Sequence, residues 1–70
     1  MEVIFTIHAK ERLQRRHILE EEALDAIKHP DRTIKRHGLY YIQKKLQRGT
    51  IEVCCEKGER YIKVVSVYWL

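Results

Sequence analysis

The spacing of apolar residues along this chain changes once, close to residue 31. Before that point the apolar residues recur at helical intervals, first Ala9 and Leu13 and then Ala23, Leu24 and Ile27. Beyond it apolar and polar residues alternate, which is the period of strands. A short β-branched and aromatic run precedes the helical part. The pattern therefore predicts the element order β-α-α-β-β-β-β.

Local signals place the ends of these elements. Thr6 is a typical N-cap residue for a first helix that ends near His17, and Pro30 terminates a second helix. Glycines at positions 38, 49 and 58 mark turns between the later strands. The predicted strands are residues 2–5, 32–36, 39–46, 50–56 and 60–69, and the second helix covers residues 19–29.

These elements indicate a single α+β domain over residues 1–70, with both N-terminal helices packed on one face of an antiparallel sheet. The charged strand 32–36 is expected near a sheet edge, and the apolar strand 60–69 near the centre. In strand 50–56, Ile51, Val53 and Cys55 are expected to face the core. The alternating residues Glu52, Cys54 and Glu56 are expected to face solvent.

Composition narrows the class of protein. Hydrophobic residues make up 44% and charged residues 34%, which is typical of a folded globular domain. No apolar run approaches the ~18 residues of a membrane span, and no signal peptide is visible, so a cytoplasmic location is expected.

Cys54 and Cys55 are adjacent and point to opposite faces of a strand, which predicts two reduced thiols, one inward and one outward.

The net charge of +4 is unevenly distributed. Residues 32–50 carry six basic and no acidic residues, whereas residues 19–31 carry five acidic residues and one basic residue. This pattern favours an acidic partner on one face, and a solvated surface is the alternative. The four histidines show no metal-ligand spacing and no Cys-x-x-Cys is present, so neither a metal nor a cofactor is expected.

The first helix carries the most distinctive polar row. His8, Arg12 and Arg16 are spaced i, i+4 and i+8, with Arg15 close behind His8. Such a row could hold a polyanion, and His8 could act on one as an acid or base. The alternative is structural, with His8 fixing the start of the helix and the arginines pairing with acids between the helices.

Several of these residues form a pattern that resembles a known family. The residues are Phe5-Thr6-x-His8-Ala9-x-x-Arg12-Leu13-x-x-Arg16-x-Ile18, followed by an acidic helix that ends in His-Pro and by a strand meander. This pattern is similar to the domain of unknown function 4258 family. That family often has a glycine and a serine or threonine at the turn between the helices, where this chain has His17 and Leu19.

The resemblance implies the compact fold of RelE/ParE-type toxins, many of which are metal-independent ribonucleases that act on ribosome-bound messenger RNA. In such chemistry His8 would be the acid–base group, and Arg12 and Arg16 would bind the phosphate. A second proton carrier could be Tyr40, Tyr61, Tyr68 or His37. In the alternative hypothesis the basic sheet instead docks an acidic protein partner such as an antitoxin.

The basic segment 32–48 adds aromatic rings to cations, a combination that suits RNA because phosphates meet cations and bases stack on rings. Its alternative is a solvated sheet edge. The residues predicted to contact RNA, together with one on the first helix, are Arg15, Arg32, Lys35, Arg36, Tyr40, Lys44, Lys45 and Arg48.

The leading hypothesis is thus a small cytoplasmic RelE/ParE-like α+β domain that binds RNA and could also cleave it without a metal. A non-catalytic module that docks an acidic protein is the first alternative, and a decayed toxin kept as a stable fold is the second. The terminal pair Trp69-Leu70 is expected either at a homodimer contact or closing the core.

Overall fold

A computed structural model describes all 70 residues of the chain and confirms the predicted order of elements. The two helices come directly after the first strand, and four strands follow them. The elements are β1 (Glu2–Phe5), α1 (Ile7–Arg15), α2 (Glu20–Lys28), β2 (Arg32–Arg36), β3 (Leu39–Leu46), β4 (Gly49–Lys57) and β5 (Tyr61–Trp69). The α+β class is therefore confirmed.

The five strands form one mixed sheet in the order β1-β5-β4-β3-β2. β2 to β5 are antiparallel neighbours, but β1 runs parallel to β5, with Val3 opposite Ile62. The prediction of a purely antiparallel sheet is therefore wrong. Strands joined by tight hairpins must be antiparallel, whereas β1 reaches β2 only through two helices, so no hairpin constrains its direction. β2 lies at an edge, as its charges predicted.

One face of the sheet, here called the core face, belongs to the hydrophobic core. Val53 on the central strand β4 pairs with Ile42 of β3 and Val67 of β5, and none of the three side chains exposes more than 2% of its surface. Directly paired residues share a face. The same core contains Ala9 of α1 and Ala26 of α2. Residues that alternate with the core face define the opposite, outer face.

The small side chain of Ala9 allows α1 to approach β5 closely. Ala9 is fully buried, and the Thr6 side chain accepts a hydrogen bond from its backbone N–H at 3.0 Å, so the predicted N-cap is confirmed. The Thr6 N–H in turn donates to the Val64 carbonyl of β5 at 3.2 Å. α2 makes fewer contacts, which go to β3 and β4. Neither helix has the length and apolarity that a bilayer crossing requires.

A β-bulge changes which residues of β5 face the core. Cys54 is opposite Ser66 and Cys55 is opposite Val64, which leaves Val65 without a partner on β4. Alternation therefore restarts after Val65, and Val64 and Val67 both reach the core face although three positions separate them. The core residues of β5 therefore do not follow a strict alternation of apolar and polar positions.

The turn between the helices departs from ordinary backbone geometry. His17 has φ 55°, in the left-handed region where glycine is unstrained and other residues are not. Leu19 at the N-cap of α2 offers no side-chain acceptor, and only Glu22 caps in return by accepting from the Leu19 N–H at 3.0 Å. Arg48, from the β3–β4 turn, donates to the His17 carbonyl at 3.0 Å and so holds this turn from outside.

The outer face of β4 is also covered, contrary to the prediction for this strand. Glu52 exposes only 8% of its surface and Cys54 only 7%. Tyr68 lies opposite Glu52 and Tyr41 lies opposite Cys54, so rings from both neighbouring strands shield these positions. The expectation that Glu52 and Cys54 face solvent is therefore wrong. Both cysteines are free thiols, and both are buried.

Candidate nucleic-acid interface

The polar row of α1 does not form an enclosed site. His8 is exposed, Arg12 is half-buried, and neither side chain forms a hydrogen bond or salt bridge within the chain. Arg15 lies in a shallow depression with Glu11 and Gln14, which contains no aromatic or apolar side chain. The row therefore presents polar groups to solvent without a wall that would orient a substrate.

Arg16 has a structural contact that the sequence did not reveal. Its guanidinium donates to the Val67 carbonyl at 2.7 Å, and its own carbonyl accepts from the Trp69 indole N–H at 2.8 Å. These two bonds fasten the end of α1 to the end of β5. Because Trp69 also packs against the core, it closes the core at this end, while Leu70 stays exposed.

The sheet divides the basic segment between its two faces. Strand pairing places Arg32, Arg36 and Lys45 on the outer face, and Lys35 and Lys44 on the side of the core face. The adjacent tyrosines divide in the same way, Tyr40 on the side of the core face and Tyr41 on the outer face. Residues predicted as one RNA-binding surface therefore belong to two.

Several of these cations are already engaged within the fold. Arg48 donates to both carboxylate oxygens of Glu22 at 2.7 and 2.9 Å, and this hydrogen bonding lowers the pKa of Glu22. Lys44 donates to the His29 carbonyl at 2.8 Å and lies 3.8 Å from an oxygen of Asp31.

The ring of Tyr40, on the side of the core face, already has two lysine ammonium groups beside it. The ammonium nitrogen of Lys57 lies 4.2 Å from the centre of the Tyr40 ring, and that of Lys35 lies 5.4 Å from it. Arg32, Arg36 and Lys45, in contrast, form no salt bridge and no side-chain hydrogen bond. The cations of the basic segment that have no partner within the fold are thus the three on the outer face.

A buried polar cluster lies at the centre of the outer face. The Tyr68 hydroxyl donates to one carboxylate oxygen of Glu52, and the Gln43 side-chain amide donates to the other at 2.8 Å. Strand register creates the cluster, because Gln43, Glu52 and Tyr68 are direct neighbours across β3, β4 and β5. Glu52 forms no salt bridge. Burial, and then the hydrogen bond to Glu52, raise the pKa of Tyr68, so its hydroxyl keeps its proton at neutral pH.

The cluster forms part of the lining of a depression of about 270 Å³. Each of the strands β2 to β5 contributes to it, and it combines a buried acid, two aromatic rings, one aliphatic side chain and one free cation. The lining residues are Ile34, Arg36, Tyr41, Glu52 and Tyr68. Of these, only Arg36 was predicted as an RNA-contacting residue. Glu52 was missed because its strand alternates cleanly, and only the register with Tyr68 and Gln43 reveals its burial.

The profile of the family described as "Domain of unknown function (DUF4258)" matches residues 5–69, nearly the whole chain. The chain belongs to this family. Neither a curated protein nor a solved structure matches it.

In this DUF4258 domain, most of the residues that carry the family resemblance have structural contacts. Thr6 caps α1, Ala9 is fully buried, and Ile18 exposes 3% of its surface. Arg16 holds the end of β5. His8 and Arg12 are the residues of the motif for which the fold shows no such contact, so they stay predicted site residues on α1.

The thiols of the DUF4258 domain are in an unreactive environment. Burial raises the pKa of Cys54, and it raises the pKa of Cys55 to about 11. Both thiols therefore stay protonated at neutral pH.

The chain contains no group of three His, Cys, Asp or Glu side chains that could hold a metal ion.

Proposed function

We propose that this DUF4258 domain binds single-stranded RNA on the outer face of its sheet. The observation that carries the proposal is that Arg36, Tyr41 and Tyr68 line one depression. A free guanidinium can bind phosphate, and tyrosine rings can stack on bases, which are the two interactions that single-stranded RNA offers.

Charge on the same face supports the proposal. Arg32 lies two residues from the depression along β2, and Lys45 lies beyond Gln43 on β3, so cations flank the depression along two strands. Because these side chains have no internal ion pair, phosphate contact would not require a salt bridge to break. A base that is stacked in a duplex cannot enter the depression, whereas an unpaired base can.

The proposal includes the RelE/ParE-like arrangement, in which both helices are layered on the core face. The element order and the core shared by helices and sheet support it. RNA cleavage has less support than RNA binding. His8 has no partner that would orient its ring, and the Arg16 guanidinium is bound to the Val67 carbonyl, so cleavage at α1 stays a prediction.

The test is fluorescence anisotropy of a short, labelled single-stranded RNA between ~50 and ~200 mM salt. We expect affinity to fall with salt, and we expect Arg36→Gln to weaken binding and reduce the salt slope by about 0.7, the value for one phosphate contact on a single strand. Arg60→Gln is the matched control. It removes the same charge from the exposed β4–β5 turn, outside the depression, and should change neither quantity by as much.

Two results would contradict the proposal. One is binding that does not depend on salt, or no binding at all. The other is an equal effect of Arg36→Gln and Arg60→Gln, which would indicate diffuse attraction to the net charge. Preference for polyglutamate over RNA of equal charge would favour the alternative, an acidic protein partner. Incubation of the same RNA with protein and EDTA tests cleavage separately, with folded His8→Ala and Arg12→Ala variants alongside.

A further inference from the structure

We infer that the depression on the outer face is a guanine-binding pocket in which the Glu52 carboxylate reads the Watson–Crick edge of the base. This inference rests on the proposed RNA binding and adds a base preference to it. It stands on the position of Glu52 in the lining, on its hydrogen bonds and on its lack of a cationic partner.

A buried glutamate without a salt bridge is uncommon, because acidic side chains are seldom buried unless they are paired. Glu52 exposes 8% of its surface and still forms no salt bridge. Its exposure, although small, is toward the depression whose lining it forms. A ligand that donates hydrogen bonds to the Glu52 carboxylate would compensate for the burial of this charge more fully than its two protein donors do.

The number of acceptor positions fits two donors. An ionised carboxylate has about four lone-pair positions, two on each oxygen. Tyr68 uses one position on the first oxygen and Gln43 uses one on the second. Each oxygen therefore keeps one acceptor position to which a ligand could donate. The two protein donors also fix the orientation of the carboxylate, so little freedom is lost when a ligand binds.

Among the four RNA bases only guanine presents two adjacent donors, N1–H and the N2 amino group. Adenine and cytosine place one donor beside an acceptor, and the single donor of uracil lies between two acceptors. With each of these three bases a carboxylate oxygen would face another acceptor. Single-stranded RNA exposes exactly these edges when a base is unstacked, and a site built for two donors rejects bases that lack one.

The rest of the lining suits the same ligand. Tyr41 on β3 and Tyr68 on β5 lie on either side of β4, and both line the depression with Glu52, so each offers an aromatic ring to a base. Ile34 adds apolar contact, and Arg36 is exposed at the same depression, where it can reach the phosphate of the bound nucleotide.

The experiment compares the affinities of four oligouridine RNAs that differ at one central position, which is guanosine, inosine, adenosine or cytidine. We expect the guanosine RNA to bind at least about tenfold tighter than the adenosine and cytidine RNAs. Inosine keeps N1–H but lacks the amino group, so its affinity should lie between the two. The Glu52→Gln variant should lose the preference for guanosine, because an amide cannot accept two hydrogen bonds at two oxygens.

Glu56→Gln is the matched control. Glu56 lies on the same strand and the same face and interacts with Lys63 at 3.9 Å, outside the depression, so its removal changes the net charge equally. It should keep the guanosine preference. A titration of isotope-labelled wild-type protein with guanosine monophosphate gives a readout that needs no variant. Amide shifts should concentrate at Tyr41, Glu52 and Tyr68 and not on α1.

The outcomes separate this inference from the proposed function. Equal affinity of the wild type for all four RNAs would overturn guanine recognition and leave RNA binding intact. A guanosine preference that persists in folded Glu52→Gln would also overturn it, as would amide shifts that map elsewhere. If none of the RNAs binds at low salt, both the proposed function and this inference are wrong.

Discussion

Raising the pH should destabilise this fold through the thiol of Cys55. The side chain is fully buried on the central strand, and burial raises its pKa from 9.0 to about 11. In the unfolded chain the thiol ionises near pH 9, whereas in the fold it keeps its proton. The unfolded state therefore loses its proton first. The contribution of Cys55 is fully present below pH 9 and is lost as the pH rises through the folded pKa.

The magnitude follows from proton linkage. With pKa values of 9.0 and about 11, the contribution of Cys55 to the free energy of unfolding falls by about 1 kcal/mol between pH 8 and pH 10. The total loss above both pKa values is about 3 kcal/mol, since one pKa unit corresponds to about 1.4 kcal/mol. A domain of this size has only about 5 kcal/mol of stability, so the effect is measurable.

The assay is urea unfolding followed by circular dichroism at pH 8 and pH 10, with a reductant present, for the wild type and Cys55→Ala. The variant loses packing at both pH values, and that constant loss cancels in the comparison. We expect the stability gap between wild type and variant to narrow by about 1 kcal/mol at pH 10. Val67→Ala is the control, because Val67 is also fully buried on β5, pairs with Val53 and not with Cys55, and does not titrate. Its gap should be the same at both pH values. Parallel pH profiles for wild type and Cys55→Ala would refute the reasoning.

Two further predictions concern local structure. Thr6→Ala should cost about 1 kcal/mol in the urea midpoint analysis, because the Ala9 N–H loses its acceptor, and Thr6→Ser should restore most of that loss; an equal effect of both variants would refute the capping role. Gly58→Ala should destabilise the β4–β5 connection, because a Cβ there would overlap the Tyr61 ring. The same substitution in a Tyr61→Ala background should cost much less, and additive losses in this double-mutant cycle would show that the ring is not the obstacle.

The sequence predicted the elements well because their signals are local. Thr6 marks the start of α1 through one side-chain contact three residues away, and Pro30 ends α2 through its own ring. The glycine turns set the limits of β3 and β4 to within a residue or two. In each case the interaction that sets the boundary of the element involves only residues a few positions away from it.

Pairing between distant strands was less predictable. Nothing in residues 2–5 indicates that β1 lies beside β5 or runs parallel to it. Val65 similarly looks like one of several alternating valines, and only its missing partner on β4 shows that it is a bulge. Such features depend on register, which the local pattern of a strand does not contain.

The candidate site shows the same division. The cations of residues 32–48 were visible in the sequence, but their separation onto two faces follows from strand pairing. Glu52 seemed to be an ordinary exposed residue. Its burial needs Tyr68 from β5 and Gln43 from β3, which lie 16 and 9 residues away along the chain. The charge of this face is thus visible in the sequence, whereas the buried acid at its centre appears only in the fold.

The parallel pairing of β1 with β5 has a mechanical consequence. Because the two strands run in the same direction, tension applied at Glu2 and at Trp69 pulls them past each other along their length. The hydrogen bonds between residues 2–5 and 61–64 are then loaded together in shear, and they cannot open one at a time as in the unzipping of a hairpin. The fold should therefore resist stretching along this axis more than its small size suggests, and β1 acts as a clamp on the last strand.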